Sequence, residues 1–312
     1  MVKPINGTRH DDTLYIYGEG RGNGRAGNDT LFGDDARNHL DGGVGNDSLF
    51  GGGGNDFLAA GQGDDVLHGG AGDDLMWGGA GSDSFTFEGL RDTARGQEGR
   101  DVFYYSAQPG EAVEASHVFD GGADRDAVVV NLDHTTVDGS PAMLKVYVGS
   151  DGNASLGAVD YPDQSQWVNI GDTKGVEEFW VSGDTRMIYH GGALDATVVG
   201  GAREDRFVSG SGNESFHVGA PDDLAFDMVV FDFTNVGDAP SHDRVYGFNP
   251  AQDEFGYKQG YEYDPTAHVV QVEDYTTGST FFHAYSQGEH VGTTEFVGTL
   301  GIKPAVEYGD FL

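Results

Sequence analysis

The chain contains no cysteine, so if it works outside the cell something other than disulfides must staple it. Basic residues are scarce: 17 Lys and Arg stand against 52 Asp and Glu, a formal net charge of −35. That balance excludes nucleic acid as a natural partner, because such binding needs cationic side chains on the phosphates. It also repels an anionic membrane surface while the carboxylates are bare. Long apolar runs are missing. Met1 to Gly7 offers no hydrophobic core for a cleavable signal peptide, and no segment approaches the ~18 apolar residues of a membrane span. Helical periodicity is absent, which makes the class all-β. Two catalytic signatures are missing as well. There is no H-E-x-x-H; the nearest dipeptide, Glu289-His290, lacks the second histidine. There is no complete G-x-S-x-G; Ala284-Tyr285-Ser286-Gln287-Gly288 matches only part. The 11 histidines are scattered with no close H-x-x-x-H pair of the kind that marks zinc. His117, His134, His190, His217 and His283 read as surface or strand residues.

Glycine, at 52 residues, is what the chain has in excess, and it is ordered in nines. Gly42-Gly43-Val44-Gly45-Asn46-Asp47-Ser48-Leu49-Phe50 is followed by four further units in register. They carry Gly51, Gly52, Gly54 and Asp56; Gly61, Gly63 and Asp65; Gly69, Gly70, Gly72 and Asp74; and Gly78, Gly79, Gly81 and Asp83. Asp29 holds the same slot in Gly24–Phe32. The pattern G-G-x-G-x-D-x-U-x, with U a large apolar residue, builds a calcium-binding parallel β-roll. The glycine half takes positive φ and lets carbonyls approach an ion. The Asp in slot six adds a carboxylate, and oxygen at this density suits Ca2+, which takes six to eight oxygen ligands. The last three slots form a short strand whose middle side chain points inward: Leu31, Leu40, Leu49, Leu58, Leu67, Met76 and Phe85. Two nonapeptides make one coil, so Asp29, Asp47, Asp65 and Asp83 stack on one edge and Asp56 and Asp74 on the other. Carboxylates about 5 Å apart repel by ~3 kcal/mol per pair at an effective dielectric of 20. The stretch is therefore expected to be disordered without cations and to fold when they bind. The named Asp and Gly residues are the expected metal site.

Along the chain, Gly7–Tyr15 is a worn first unit with Asp12 and Leu14 in register. Ile16–Asn23 slips by one residue, and Asn38 takes the carboxylate slot of Gly33–Asp41, which weakens any site there. The spacing gives an N-terminal calcium roll over 1–90. A linker and inserted β-region follows over 91–181, with a break at 88–118 that holds one strand at Val102–Tyr105. Further strands are expected at Leu144–Val148, Gln166–Ile170 and Val176–Val181, with turns at Val137–Pro141 and Gly149–Gly157. Worn nines return in a second, degenerate roll or solenoid over 182–250. There Val198, Phe207 and Phe216 point inward and Ala196, Asp205 and Glu214 hold the carboxylate slot; a roll with one or two calcium sites and one with no metal remain open. A capping β-region over 251–312 ends in Asp310-Phe311-Leu312.

These residues resemble the RTX (repeats-in-toxin) family, tightly over 24–86 and loosely over 118–250. They are similar to the C-terminal region of serralysin-type metalloproteases and to the secretion modules of mannuronan epimerases. Asp243–Glu254 resembles the D-x-I-x-G-F closure that often follows such rolls. The resemblance implies calcium at Asp29, Asp47, Asp56, Asp65, Asp74 and Asp83. Glu307 to Leu312 looks like the uncleaved signal read by the type I ABC-transporter secretion machinery, and the destination implied is extracellular or cell-surface. Ice-binding rolls of this family repeat Thr in the third slot. Here that slot holds Ala26, Val44, Gly53, Gln62, Ala71 and Ala80.

The expected role is calcium-triggered folding of a non-catalytic surface, adhesion or matrix protein with a cell-surface or polysaccharide ligand. A second expectation is a uronate lyase or epimerase with its site in 100–181, among Tyr104, Tyr105, Tyr147, Tyr161, Trp167 and Trp180. Only Arg100, Arg125, Lys145 and Lys174 are available there to neutralise a uronate carboxylate, and the aromatics equally suit strand core. A third is an export or stabilising module for a separate protease.

Overall fold

A computed structural model describes residues 4–88, 91–107, 116–133, 135–137, 139–160, 163–164, 166–218, 225, 227–232, 241–250, 253–258, 268–274, 277–286, 289–297 and 299. The expected tail signal and Tyr161 lie outside them. The described residues are strands, turns and bends, and no helix among them is long and apolar enough to cross a membrane. The chain divides into two compact units, Met1–Pro141 with Ala154–Val176, and Ala142–Asn153 with Glu177–Leu312.

The first unit is a two-sheet parallel roll. Its strands in chain order are β1 (Ile5–Asn6), β2 (Thr13–Tyr15), β3 (Arg21–Ala26), β4 (Thr30–Phe32), β5 (His39–Val44), β6 (Ser48–Gly53), β7 (Phe57–Gln62), β8 (Val66–Ala71), β9 (Leu75–Ala80), β10 (Ser84–Phe87), β11 (Thr93–Glu98), β12 (Val102–Ser106), β13 (His117–Gly122) and β14 (Ala127–Asn131). Odd-numbered strands form one sheet and even-numbered strands the other. Each repeat therefore contributes one strand, and residues 18 apart sit side by side, as in Leu49↔Leu67 and Leu58↔Met76. Strands β5 to β9 each span 6 residues, longer than the three expected. β6 runs from slot seven of one repeat into slot three of the next, and its burial alternates so that Leu49 and Gly51 both face inward.

The core is a column of apolar side chains. Leu31, Leu40, Leu49, Leu58, Leu67, Met76 and Phe85 are all fully buried, at 0 % exposure. Leu14, in the first coil, is only half-buried. The one-residue slip after Tyr15 appears as a 17-residue coil, Leu14↔Leu31.

Among the described residues of 88–118 the expected break gives way to two strands of the roll: β11 pairs in parallel with β9, and β12 with β10. Phe85, Phe103 and Phe119 extend the core column. The reason is that Gly96-Gln97-Glu98-Gly99-Arg100-Asp101-Val102-Phe103-Tyr104 is itself a nonapeptide. Gln97 takes the positive φ (85°) that glycine supplies elsewhere. The next coil is longer, Phe103↔Val128. An antiparallel hairpin, β15 (Thr136–Val137) with the start of β16 (Ser140–Val148), stands where a turn is expected. β17 (Ala154–Asp160) and β18 (Trp167–Lys174) form a second antiparallel pair, and β18 lies in parallel beside β13.

The second unit is also a two-sheet roll. It adds β19 (Glu178–Val181), β20 (Met187–His190), β21 (Thr197–Val199), β22 (Arg206–Val208), β23 (Ser215–His217), β24 (Met228–Asp232), β25 (Ser241–Tyr246), β26 (Glu254–Lys258), β27 (His268–Asp274), β28 (Ser279–Ser286) and β29 (Glu289–Phe296). One sheet runs β16-β20-β22-β24-β26, all parallel. The other runs β19-β21-β23-β25-β29 in parallel and closes with the antiparallel strands β28 and β27. Val198, Phe207 and Phe216 hold the inward slot, fully buried. The register steps lengthen toward the C-terminus, from 18 residues at Tyr189↔Phe207 to 22 at Phe207↔Val229 and 29 at Phe216↔Val245.

Candidate metal centre

The roll places the slot-six residues on two edges, as their spacing predicts. Asp29, Asp47, Asp65 and Asp83 stack on one, and Asn38, Asp56 and Asp74 on the other. Each carboxylate has two different oxygens. Oδ1 accepts a hydrogen bond from the backbone N–H of the rung 18 residues earlier: Asp29 N–H to Asp47 Oδ1 at 2.7 Å, Asp47 to Asp65 at 2.7 Å, Asp65 to Asp83 at 2.9 Å and Asp56 to Asp74 at 2.7 Å. Oδ2 of Asp29, Asp47, Asp56, Asp65, Asp74 and Asp83 is buried and has no hydrogen-bond partner. These side chains are 1–3 % exposed. Buried charged oxygens without a partner are strongly disfavoured.

What surrounds Oδ2 is more oxygen. A Cβ built on Gly42, the first slot, would run into Asp47 Oδ2 and, at 2.7 Å, the carbonyl oxygen of Ala60. Gly51 is crowded in the same way by Asp56 Oδ2 and Gly69 O, and Gly69 and Gly78 by Asp74 and Asp83. At Gly42, Gly51, Gly69 and Gly78 a slot-one Cβ would fill the space beside the carboxylate; Ala60 is the exception in this slot. Slots two and four, Gly43, Gly52, Gly61, Gly70 and Gly79 with Gly45, Gly54, Gly63, Gly72 and Gly81, have φ from 92° to 138°, a range that L side chains rarely adopt. A partnerless carboxylate oxygen beside a carbonyl oxygen is repulsive unless a cation joins them. Among the described residues no three His, Cys, Asp or Glu side chains converge as a metal-holding group. Any cation here would take most of its ligands from the backbone, which suits Ca2+ and not zinc.

Asn38 departs as its chemistry requires. Its Nδ2 donates to Gly18 O at 2.6 Å and its Oδ1 accepts from Asp34 N–H at 2.8 Å. The amide satisfies itself and leaves no oxygen for an ion.

Two rungs, Asp92 and Asp101, escaped the sequence reading; Asp126 did not, since Gly121–Val129 reads as a further nonapeptide with Asp124 in place of the fourth glycine. Asp92 and Asp101 continue the two edges, accepting from Asp74 N–H at 2.9 Å and Asp83 N–H at 2.8 Å. Asp126 accepts from Asp101 N–H at 2.8 Å, 25 residues earlier. The 18-residue step from Asp74 and Asp83 was the available signal. One edge then changes chemistry: Asp92 N–H donates to Nδ1 of His117 at 3.1 Å. His117 is a buried strand residue packed by Phe87, Tyr105 and Phe119. Burial pulls its pKa down to about 4, so a neutral imidazole caps that edge. An outer ladder was also missed: Asp64 N–H donates to Asn46 Oδ1 at 3.1 Å and Ser82 N–H to Asp64 Oδ1 at 2.8 Å. This explains the short polar residues in slot five.

In the second unit Asp205 accepts from Met187 N–H at 2.6 Å and Gly201 N–H at 2.7 Å, and Asp227 accepts from Asp205 N–H at 2.9 Å. Ala196 leaves its rung without a side-chain oxygen.

A family model of the RTX calcium-binding nonapeptide repeat, four copies long, matches residues 23–58, 50–85 and 190–224. The chain carries RTX calcium-binding repeats. Such RTX repeats bind Ca2+ at several sites, and the partnerless oxygens of the first RTX roll fit that ion. A search of curated proteins returns no match.

The metal-free RTX roll has a pH dependence of definite sign. Burial, its largest cause, pushes Asp56 and Asp65 up to about 6, Asp47, Asp74 and Asp83 to about 7, and Asp101 to about 8. An unfolded Asp titrates at roughly 3.9. The folded roll thus holds more protons than the unfolded chain between roughly pH 4 and 8, and its stability falls as pH rises across that range, levelling off once the highest folded value, about 8, is passed. In chelator, the melting temperature at pH 5 should exceed that at pH 8. Calcium competes with those protons, so calcium should remove or reverse the trend. Melting curves at the two pH values, with and without calcium, check this.

Proposed function

We propose that this calcium-binding chain is a secreted, non-catalytic protein that folds on meeting extracellular calcium and then acts at or near a cell surface, in adhesion or matrix association. The observation that carries the reading is the row of buried, partnerless carboxylate oxygens in the first unit. Asp29, Asp47, Asp65, Asp83 and Asp101 would hold ions along one edge, and Asp56 and Asp74 along the other. Carbonyls of slot-one residues would join them, and the glycines of slots two and four would let the backbone close around each ion. Calcium supplies a hard dication for six to eight oxygens. The chain's own part is to present each Oδ2 while fixing Oδ1 on a backbone N–H, so that binding an ion and closing a coil are one event. Free calcium inside cells is too low for weak multi-site folding, which favours an extracellular site of action and export of an unfolded chain.

The C-terminal segment 251–312, ending in Asp310-Phe311-Leu312, would act as cap and as signal for a type I ABC transporter. Deleting residues 307–312 in a host carrying such a transporter should abolish accumulation of the protein in the medium, while purified protein still binds calcium. Undiminished export would overturn this part of the reading.

A polysaccharide ligand is the second reading. It is supported by half-exposed aromatics: Tyr104 and Trp167 in the first unit, and Tyr147 and Trp180 in the second, between 37 % and 44 % exposed. Exposed aromatic surface of this kind stacks on sugars, and one face of the Tyr147 ring is already stacked on His190 at 4.5 Å. Retardation on uronate-polymer gels in calcium, without unsaturated product, would favour binding over lyase chemistry.

A further inference from the structure

The outer face of one sheet of the first unit differs from the rest of this acidic molecule. On β2, β4, β6, β8, β10 and β12 the slot-nine side chains form one row: Tyr15, Phe32, Phe50, His68, Thr86 and Tyr104. The slot-seven side chains form a parallel row two residues away: Thr13, Thr30, Ser48, Val66, Ser84 and Val102. None of these residues is Asp, Glu, Lys or Arg, and none is buried, in a chain of formal net charge −35. The matching rows of the other sheet include Arg21, Asp41, Arg95 and Asp120. Charge returns beyond the strip, as at Asp64 and Glu88.

Four of the slot-nine rings are stacked on one another. Tyr15 lies on Phe32 with centroids 5.2 Å apart, Phe32 on Phe50 at 5.0 Å and Phe50 on His68 at 4.9 Å, with interplanar angles of 15°, 12° and 9°. The stack stops at Thr86, and an aromatic ring returns one coil later at Tyr104. His68 and Tyr104 therefore stand two coil rises apart, about 9.6 Å, with a threonine between them. The gap is one ring thick: a ring seated in it would lie about as far from each neighbour as the stacked rings lie from one another. Tyr104 is 44 % exposed, and among the described residues no other ring lies against it. Nor does any hydrogen bond among the described residues take up the side-chain hydroxyls of Ser84 and Thr86, which floor the gap.

We propose that this strip binds a neutral polysaccharide lying along the roll, with one pyranose ring seated between His68 and Tyr104. The proposal rests on the polysaccharide reading above and names for it the class of polymer and the place. The apolar C–H face of a pyranose packs on an aromatic ring, and free hydroxyls beside the ring exchange hydrogen bonds with those of the sugar. The lack of charge selects the polymer. A uronate chain would bring negative charge to a negative molecule, on a face with no Lys or Arg to meet it. A second copy of the chain could also approach through an uncharged face, but the strip is too small for it. Five steps of ~4.8 Å along two rows give roughly 24 Å by 10 Å, on the order of 250 Å², where a stable protein interface takes about 800 Å² from each partner. A linear polymer needs only the width of one chain.

The test is affinity electrophoresis of the full chain in saturating calcium, through gels containing hydroxyethyl cellulose, galactomannan or alginate. Thr86→Tyr puts a ring into the gap, and Tyr104→Ala removes one of its walls. Phe57→Ala, which deletes an outward ring of the other sheet, is the control, and circular dichroism establishes that each variant folds. Wild type should be retarded by a neutral polymer and not by alginate. Thr86→Tyr and Tyr104→Ala should each bind that polymer roughly fivefold to tenfold more weakly, and Phe57→Ala as wild type does. If one strip variant fails to fold, the other decides. Neutral-polymer binding unchanged in the folded strip variants would overturn the strip as the site. Retardation by alginate alone would overturn the neutral polymer and leave polysaccharide binding standing. Retardation by none of the three would overturn polysaccharide binding, and this site with it. A dimer in sedimentation that Thr86→Tyr disrupts would overturn the proposal by giving the strip to a second copy.

Discussion

Addition of chelator at neutral pH is expected to remove most of the strand signal of the first unit in circular dichroism, and calcium to restore it. Asp29, Asp47, Asp65 and Asp83 present buried oxygens without partners on one edge of the roll. Neighbouring coils lie about 4.8 Å apart, so each adjacent charged pair repels by ~3 kcal/mol at an effective dielectric of 20. Several such pairs together match the whole ~5–15 kcal/mol by which a domain is stable, before the desolvation of each carboxylate is added. Protonation relieves this fully only as pH falls below the raised pKa values, about 6 to 8, so at neutral pH the metal-free roll still carries part of this repulsion and is destabilised by having to protonate the rest. Because one coil supplies the N–H groups that orient the next coil's carboxylates, folding in calcium should be cooperative, with a steep dependence on calcium concentration. A spectrum in chelator unchanged from that in calcium would show that the apolar column alone holds the roll.

The second large effect is expected from a single methyl group. Gly63→Ala should destabilise the calcium-loaded protein by about 3–5 kcal/mol, the sum of backbone strain at a positive φ and an overpacked backbone contact. Gly63 has φ +129°, and an added Cβ would strike the carbonyl oxygen of Gly45 in the coil below. Gly53→Ala in the neighbouring repeat is the control. Gly53 sits in slot three without positive φ, and the nearest atom to its added Cβ is Asp35 Cα at 3.3 Å. Its substitution should stay within about 1 kcal/mol of neutral. Denaturant melts of both variants in saturating calcium measure the difference. Equal losses would mean that the glycines are a compositional habit and not a geometric requirement.

Where the repeats are regular, the pattern alone specified strand, coil and edge. The inward column from Leu31 to Phe85 and the division of the Asp residues between two edges follow from a period of nine and two repeats per coil. The reading lost the roll at residue 88 for three physical reasons. Gln97 and Asp124 adopt positive φ, at 85° and 75°, so glycine is not obligatory once neighbouring coils impose the turn. The step from Asp101 to Asp126 is 25 residues instead of 18, so the sequence period is broken there. His117 stands where a carboxylate is expected, and an imidazole nitrogen can accept the same backbone N–H. The hairpin at Thr136–Pro141 was read as a turn because its residues are those of one; the short pairing around it leaves no periodic trace. In the second unit the inward slots Val198, Phe207 and Phe216 were legible. Asp227 and Asp243 were not, since steps of 22 and 29 residues carry no period to follow.

The most direct measurement is long-wavelength anomalous scattering from crystals grown in calcium. The account predicts two files of calcium peaks in the first unit, one beside Asp29, Asp47, Asp65, Asp83 and Asp101 and one beside Asp56 and Asp74, with no peak held by Asn38. A well-ordered roll with those Oδ2 atoms bare of calcium would contradict it.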